Sequence, residues 1–210
     1  MSDSIHRSAP DWQALLGNSG PLAAVIPHFS ERPEQQKMAV AVGEAISQRQ
    51  TAVIEAGTGV GKTFAYLLPA LASGGKVIVS TGTKTLQDQL FFKDLPIVKK
   101  ALKASAKLAL LKGRANYLCL YRMKQALEDG TFSDRRSVSY LHRIDDWSDM
   151  TLRGDIAEVN NVPSDAEVWS SVTSTIDNCL GAECDDYANC HVANARRDAQ
   201  EADVVVVNHH

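Results

Sequence analysis

The sequence has no apolar run of the roughly eighteen residues that a membrane-spanning helix needs. Its N-terminus also lacks a basic stretch followed by an apolar segment, so no secretory signal is indicated. We therefore expect a cytoplasmic protein with no membrane partner. The 44% hydrophobic and 22% charged residues are typical of a folded globular protein, and 210 residues suffice for one large domain or two smaller ones.

Cysteine is also scarce, but its few positions are clustered. The chain has four cysteines, and three of them, Cys179, Cys184 and Cys190, lie within twelve residues, far downstream of Cys119. Disulfides are rare in a reducing compartment, and the paired C-x₂-C knuckles of many zinc sites are absent. The residues alone leave three possibilities open: a metal centre that uses all four thiolates, buried free thiols, or disulfides.

The net charge of −3 hides an uneven distribution of charge along the chain. From Lys93 to Lys124 there are nine Lys or Arg residues and one acid, Asp94. From Glu128 to Asp186 there are fourteen Asp or Glu residues and four Arg. These runs are consistent with two solvated helix faces. They are equally consistent with a basic surface for a polyanion beside an acidic module.

Short apolar runs alternate with helical patterns in the first half of the chain, which is typical of a parallel α/β sheet. We predict helices at 33–48, at 62–75 and at 84–102, the last interrupted at Pro96, and buried strands at 51–56, 76–81, 107–113 and 203–210. Residues 115–200 are mostly polar and are predicted to be an inserted, mainly helical segment.

The glycine-rich stretch AGTGVGKT follows a predicted strand and opens a predicted helix, which is the context of a Walker A phosphate loop. Glycines allow successive backbone amides to face phosphate oxygens, and the helix dipole adds to the attraction. Lys62 is expected to reach the β- and γ-phosphates, and the Thr63 hydroxyl to bind Mg²⁺. The predicted nucleotide site consists of Ala56, Gly57, Thr58, Gly59, Val60, Gly61, Lys62 and Thr63.

Four motifs follow one another along the chain: RPEQ at 32–35, EAGTGVGKT at 55–63, STGTKTLQDQL at 80–90 and KGRANYLC at 112–119. Together they resemble superfamily 2 DNA helicases of the XPD-like group, and most closely its bacterial DinG and YoaA branch. The resemblance, which extends to the final VVVVNHH, implies a RecA-like P-loop motor domain interrupted by a mainly helical iron–sulfur domain. It also implies that Gln35 binds the adenine edge of ATP, and that Thr81, Thr83 and Lys84 contact the backbone of single-stranded DNA.

The spacing of the three close cysteines, after the GRANYLC stretch, also resembles the iron–sulfur domain of these helicases. The resemblance implies one [4Fe–4S] cluster held by Cys119, Cys179, Cys184 and Cys190. Because the segment around them has few apolar residues from which to build a core, we expect the cluster to stabilise it. His191 adjoins the last cysteine, and we expect it beside the cluster or on the surface.

A DEAH-type box, which in this family supplies the acid that holds Mg²⁺, is missing from the sequence. We therefore expect the N-terminal part of a longer helicase, without a complete catalytic set and inactive in ATP hydrolysis by itself. The expected organisation is a lead-in at 1–30, the first part of the motor domain at 31–112, the cluster domain at 113–200 and a truncated return strand of the motor domain at 201–210.

The function implied for the longer protein is ATP-dependent unwinding of single-stranded or forked DNA, 5′ to 3′, in repair or replication. We expect a monomer, with replication and repair proteins as candidate partners. Two other functions fit the residues: a metal-containing module that binds nucleic acid or protein and has a non-hydrolysing phosphate loop, or a P-loop ATPase that remodels a protein partner.

Overall fold

The computed structural model of the chain describes residues 11–129, 132 and 134–208. The expected lead-in at 1–30 and return strand at 201–210 therefore lie partly outside the described residues. The chain divides into two compact units, one formed by Met1–Ala109 with Ala202–His210 and the other by Leu110–Glu201. No helix in the described part is long and apolar enough to cross a membrane.

The first unit contains a small sheet with flanking helices. Its helices are α1 (Trp12–Leu15), α2 (Pro33–Gln48), α3 (Lys62–Ala72), α4 (Lys84–Gln89) and α5 (Leu95–Leu102). The strands β1 (Val77–Thr81), β2 (Leu108–Leu111) and β3 (Val204–Asn208) form a three-stranded parallel sheet in the order β1-β3-β2. The register of β1 on β3 runs from Val77 beside Val204 to Thr81 beside Asn208. This arrangement confirms the α/β part of the predicted fold class, a parallel sheet with flanking helices.

The apolar core of the first unit is formed by α3, α5 and the central strand β3. Its fully buried side chains include Leu67, Leu68, Leu95, Val98 and Val206. On α3 and α5 the buried side chains recur at helical spacing, which is typical of a helix that covers one face of a sheet. The core therefore fixes the start of α3, which immediately follows the glycine-rich loop.

Helix α2 has the bounds that its apolar spacing predicts. Pro33 occupies the first turn, where its missing N–H costs no hydrogen bond, and Arg49 ends the helix in a left-handed conformation. The ring of Trp12, from α1, lies directly against Gly43, where any larger side chain would overlap it. Part of the expected lead-in is therefore packed onto α2.

The predicted strand at 51–56 is wrong. Residues 51–57 have no regular secondary structure, and the side chain of Val53 is 97% exposed. An apolar, β-branched run becomes a strand only where a neighbouring strand accepts its hydrogen bonds and covers its side chains. In the part of the chain that the structure describes, no strand pairs with this segment.

The predicted interruption at Pro96 takes a different form. Helix α4 continues without a break into a π-helical turn, Leu90–Asp94, and then into α5, where Pro96 stands in the first turn. A proline inside an α-helix removes one hydrogen bond and crowds the carbonyl four residues earlier. The wider π turn accommodates this proline, so the helix contains a bulge there and does not end.

The second unit is mainly helical, as predicted. Its α-helices are α6 (Leu120–Asp129), α7 (Arg135–Ser148), α8 (Val168–Val172) and α9 (His191–Glu201). Short 3₁₀ turns lie at Arg114–Asn116, Ile156–Glu158, Gly181–Glu183 and Tyr187–Asn189.

The expectation that this segment has too few apolar residues to build a core is wrong. A cluster of buried apolar side chains joins α6, α7 and α8, and it consists of Leu118, Met123, Leu141, Ile144, Val159, Val162, Val168, Trp169 and Val172. The polar composition concealed it because these residues are widely spaced along the sequence. Burial of apolar area therefore stabilises this unit independently of any metal.

Candidate nucleotide loop and cysteine cavity

The glycine-rich loop has the backbone geometry of an anion-binding site. Gly59 and Gly61 have φ angles of 79° and 84°, in the left-handed region that glycine adopts at little cost. Alternation of right- and left-handed residues turns successive amides toward one point. Across the described residues, no backbone amide from Gly57 to Gly61 donates a hydrogen bond. Those amides are free to donate to phosphate oxygens.

The carbonyl groups of the loop are held by side chains. The Lys62 ammonium donates to the carbonyls of Ala56 and Gly57 at 2.8 and 2.7 Å. Arg32 donates to the carbonyl of Gly59, and Gln35 Nε2 donates to that of Gly61 at 2.9 Å. These bonds engage the carbonyl oxygens of Ala56, Gly57, Gly59 and Gly61 within the chain.

Gln35 is buried beneath the loop, with 3% of its surface exposed. A Cβ atom at Gly61 would overlap the Gln35 amide, so position 61 requires glycine for space as well as for its φ angle. Of the other predicted loop residues, Thr58 is exposed and Val60 is half-buried. Burial raises the pKa of Tyr66, and the nearby Thr63 hydroxyl offsets part of that rise.

The three predicted DNA-contact residues lie together at the end of β1. Thr81 is buried, and its hydroxyl donates to the carbonyl of Thr83 at 3.1 Å. The Thr83 hydroxyl accepts from the amide of Leu86 at 3.2 Å and so caps the N-terminus of α4. Both hydroxyls therefore shape the turn between β1 and α4, and Lys84 is an exposed member of the group.

The four cysteines line one cavity of about 310 Å³ within the second unit. All four are free thiols of intermediate exposure. Burial raises the pKa of the Cys119 thiol, a hydrogen bond from the backbone of Arg122 lowers it, and the charges of Cys190, Cys184 and Cys179 raise it again. The fold thus brings Cys119 together with three cysteines that are distant from it in sequence.

Positive side chains share the wall of this cavity. Arg114, Arg196 and Arg197 line it together with the cysteines, and Lys124 forms an ion pair with Asp186 at its edge. Such charges favour the thiolate form that metal ligation requires. Among the described residues, however, no group of three or more His, Cys, Asp or Glu side chains is arranged to hold a metal ion.

Two features of these sites have no simple signal in the sequence. Arg32 precedes a proline and stands at a helix-capping position, but its guanidinium reaches Gly59. Lys112 belongs to a basic run, yet its ammonium forms a buried ion pair with Asp155 at 2.7 Å. The signal that the sequence offers for Arg32 and Lys112 is their position at the start of recognisable motifs.

Comparison with known proteins identifies related helicases. Residues 33–124 match the family model of the DEAD/DEAH box helicase. The chain is 50% identical over 204 residues to the ATP-dependent DNA helicase YoaA of Haemophilus influenzae, an alignment that covers 95% of this chain and 32% of that protein. The chain belongs to the DinG and YoaA family of helicases.

Two further relatives show the breadth of this family. The YoaA helicase of Escherichia coli is 52% identical over 191 residues, which cover 91% of this chain and 30% of that protein. The ATP-dependent helicase DinG of Mycobacterium tuberculosis is 36% identical over 231 residues, which cover all of this chain and 34% of that protein. The chain thus spans about a third of the length of the curated relatives that it matches.

Proposed function

We propose that the chain is the nucleotide-binding and cluster-bearing part of an ATP-dependent DNA helicase that acts in repair or replication. The observation that carries this proposal is the loop at 56–63, whose amides are free and whose carbonyls are held by Lys62, Arg32 and Gln35. Relatives named ATP-dependent DNA helicase support DNA as the partner. The direction, 5′ to 3′, rests on the resemblance to XPD-like helicases.

In this proposal Lys62 exchanges partners when Mg²⁺-ATP binds. Its ammonium leaves the carbonyls of Ala56 and Gly57 and moves to the terminal phosphates, where it is the one cation that the loop itself supplies. The Thr63 hydroxyl would be the protein's ligand to Mg²⁺. Gln35 keeps its Nε2 on Gly61, and its remaining carbonyl oxygen accepts from the adenine amino group.

The DNA contact that we propose at the end of β1 divides into two roles. Thr81 and Thr83 hold the turn through hydrogen bonds within the chain, and backbone amides and hydroxyls at that turn approach a phosphate. Lys84 provides the charge, because it is exposed at the first position of α4. These contacts carry no sequence preference.

We also propose that Cys119, Cys179, Cys184 and Cys190 hold a [4Fe–4S] cluster. Support comes from the chemistry of the cavity: four soft, free thiols surround one space, with arginine side chains to offset the negative charge of thiolates. When bound, the cluster would link the four cysteines to one another and so stabilise the segment that carries them. The domain that carries it, which we place at 113–200, would help to separate the DNA strands ahead of the motor domain.

The nucleotide site is tested by Lys62→Ala. We expect Mg²⁺-ATP affinity of the chain to fall roughly 10- to 100-fold, which is the effect of losing a hydrogen bond between charged groups. Isothermal titration calorimetry measures it, and Lys37→Ala is the control because Lys37 is an exposed lysine on α2. Equal affinities for the wild type and Lys62→Ala would refute the assignment of this loop.

Replacement of any one cluster cysteine by Ser is expected to remove the brown colour and most of the iron of anaerobically purified chain. Ser170→Ala is the control, because Ser170 is an exposed residue of the same unit and does not line the cysteine cavity. Metal analysis and the visible absorption spectrum give the result. Stoichiometric zinc without iron in the wild type, or two cysteines that can be replaced without loss of iron, would contradict the proposal.

The helicase activity itself belongs to the longer protein. We expect DNA-stimulated ATP hydrolysis and unwinding of a duplex with a 5′ single-stranded tail, whereas a duplex with a 3′ tail is left intact. The 210-residue chain alone is expected to hydrolyse ATP negligibly. Unwinding of the 3′-tailed duplex would reverse the proposed direction, and ATP hydrolysis without any response to DNA would favour a motor that acts on protein.

A further inference from the structure

Gly154 and Asp155 lie against the segment that carries Cys119. The amide of Leu118 donates to the carbonyl of Gly154 at 2.8 Å, and Tyr117 forms an antiparallel bridge with Asp155. On the same short segment, the Cys119 amide donates to the carbonyl of Val172 at 2.8 Å. The backbone immediately before Cys119 is therefore fixed by Gly154 and Asp155.

Gly154 also lies against the segment that carries Cys190. The ring of His191, which directly follows Cys190 and begins α9, packs on Gly154 so closely that a Cβ atom at position 154 would overlap it. Gly154 has a φ of 63°, a conformation that side-chain-bearing residues rarely adopt. His191 is 9% exposed and is thus a buried residue, not a surface one. One glycine therefore contacts the segments at both ends of the cysteine set.

A buried ion pair holds this glycine in place. The Lys112 ammonium lies 2.7 Å from Asp155 Oδ2, and the two side chains are 3% and 7% exposed. The other carboxylate oxygen of Asp155 accepts from the amide of Ala157, and the amide of Gly154 donates to the Thr151 hydroxyl at 2.8 Å. The two buried charges stay together because separating opposite charges away from water is costly.

We propose that Gly154 and Asp155 act as a brace that sets the separation of Cys119 from Cys190, with Lys112 as its lock; this inference rests on the proposed cluster. A cluster of fixed size requires its thiolates at fixed positions, and these two cysteines are far apart along the chain. The brace joins their segments by direct contact. Gly154, Asp155 and Lys112 are positioning residues, since none of them supplies a ligand.

The test compares Gly154→Ala with Gly74→Ala in anaerobically purified chain. Gly74 has a φ of 69° and open space around its Cα, so alanine there imposes the same backbone strain without an overlap. We expect Gly154→Ala to accelerate the release of iron to a chelator by about 10- to 100-fold, the usual effect of changing a residue that orients a metal ligand. Gly74→Ala should release iron at the rate of the wild type.

A double variant identifies the cause of the faster iron release. His191→Ala removes the ring that the new methyl group overlaps, so Gly154→Ala combined with His191→Ala should release iron more slowly than Gly154→Ala alone. The electron paramagnetic resonance signal of the reduced cluster should change in Gly154→Ala and return toward that of the wild type in the double variant. A double variant that releases iron faster than either single one would show a general loss of stability and overturn the brace.

The outcomes separate this inference from the proposed function. A wild-type chain without iron overturns the cluster and with it the brace. A wild-type chain with iron, and Gly154→Ala with an unchanged release rate and signal, overturns the brace and leaves the cluster intact.

A second pair of variants carries the test if Gly154→Ala does not fold. Asp155→Asn removes the carboxylate charge that pairs with Lys112 and should accelerate iron release, whereas Asp134→Asn, in an exposed pair with Arg136, should not. Equal release from these two variants would also overturn the brace.

Discussion

At the scale of single residues, the nucleotide loop is held by side chains that contact its carbonyl oxygens. Gln35 is the most constrained of these, since it is buried and its amide meets the carbonyl of Gly61 at the start of α3. A neutral donor is required there, because a carboxylate would repel both the carbonyl oxygen and the phosphates of a bound nucleotide. Gln35 thus prepares the loop before it contacts any base.

Replacement of Gln35 by Glu should therefore weaken both stability and nucleotide binding. We expect the free energy of unfolding to fall by about 1–3 kcal/mol, the usual cost of leaving a buried polar group without a partner. Urea denaturation measures this change, and calorimetry with Mg²⁺-ATP measures the affinity. Gln36→Glu is the matched control, because Gln36 makes only long contacts of 3.4 and 3.5 Å on the neighbouring face of α2. Similar losses in the two variants would contradict the role of Gln35.

The residues of the loop could be predicted from sequence because their chemistry is local. Three glycines, a lysine and a hydroxyl at fixed spacing leave few alternatives, and the backbone angles at Gly59 and Gly61 follow from their types. The brace around Gly154 could not be predicted in this way. Its contacts join Lys112, Leu118 and His191, which are distant in sequence, and a glycine followed by an aspartate is an ordinary turn.

At the scale of elements, the π-helical turn between α4 and α5 places Asp94 in a buried position. Burial raises the pKa of the Asp94 carboxyl, while the hydrogen bond from Gln89 and the charge of Lys93 lower it. The hydrogen bond and the Lys93 charge lower the pKa by less than burial raises it. A turn that accommodates Pro96 thus also keeps a carboxylate where its charge is poorly solvated.

Replacement of Asp94 by Asn should stabilise the chain at neutral pH. The pKa of this acid is raised above 3.8 in the folded state, so the folded protein binds its proton more tightly than the unfolded protein. Its ionisation therefore disfavours folding above the raised pKa, and this cost disappears as the pH falls through that pKa toward 3.8. The gain in the free energy of unfolding should shrink over the same range.

Urea denaturation at several pH values from neutral downward measures the gain. Glu44→Gln, at an exposed position on α2, is the control and should give little change. A gain from Asp94→Asn that stays constant with pH would show that packing rather than charge is responsible.

Strands and helices differed in how well the sequence indicated them. The bounds of α2 could be predicted, since Pro33 and the apolar spacing are local signals. The segment at 51–56 has the composition of a strand but is not one, because pairing depends on a neighbour and not on the segment itself. The core of the second unit was missed for a related reason: its apolar residues meet only after α6, α7 and α8 have packed.

At the scale of the whole molecule, the basic run from Lys93 to Lys124 is less positive than its count suggests. Lys112 is neutralised by Asp155 in the interior, and Lys124 pairs with Asp186. The exposed lysines between positions 84 and 107 include Lys84, Lys93, Lys100 and Lys103. The region from Lys84 to Lys107 is therefore the better candidate for contact with a phosphate backbone.

We expect single-stranded DNA to bind the chain weakly and with a steep dependence on salt. Each neutralised phosphate releases condensed counterions, so the logarithm of affinity should fall linearly with the logarithm of salt concentration. Lys84→Ala should weaken binding for every sequence and reduce the slope by about one contact, whereas Lys37→Ala should change neither. Fluorescence anisotropy with a labelled oligonucleotide at several salt concentrations gives both quantities. Affinity that does not vary with salt would show that these lysines form only a solvated face.

The outer edge of the sheet has a practical consequence for anyone who handles the chain. Strand β1 is an edge strand in the described part of the sheet, and its Ile78 side chain is 73% exposed. Open backbone groups beside exposed apolar side chains are a template for another strand. Purified chain should therefore form aggregates at high concentration, and a charged substitution at Ile78 should keep it soluble. The exposed edge at β1 is thus the first place to engineer if the chain is to be crystallised.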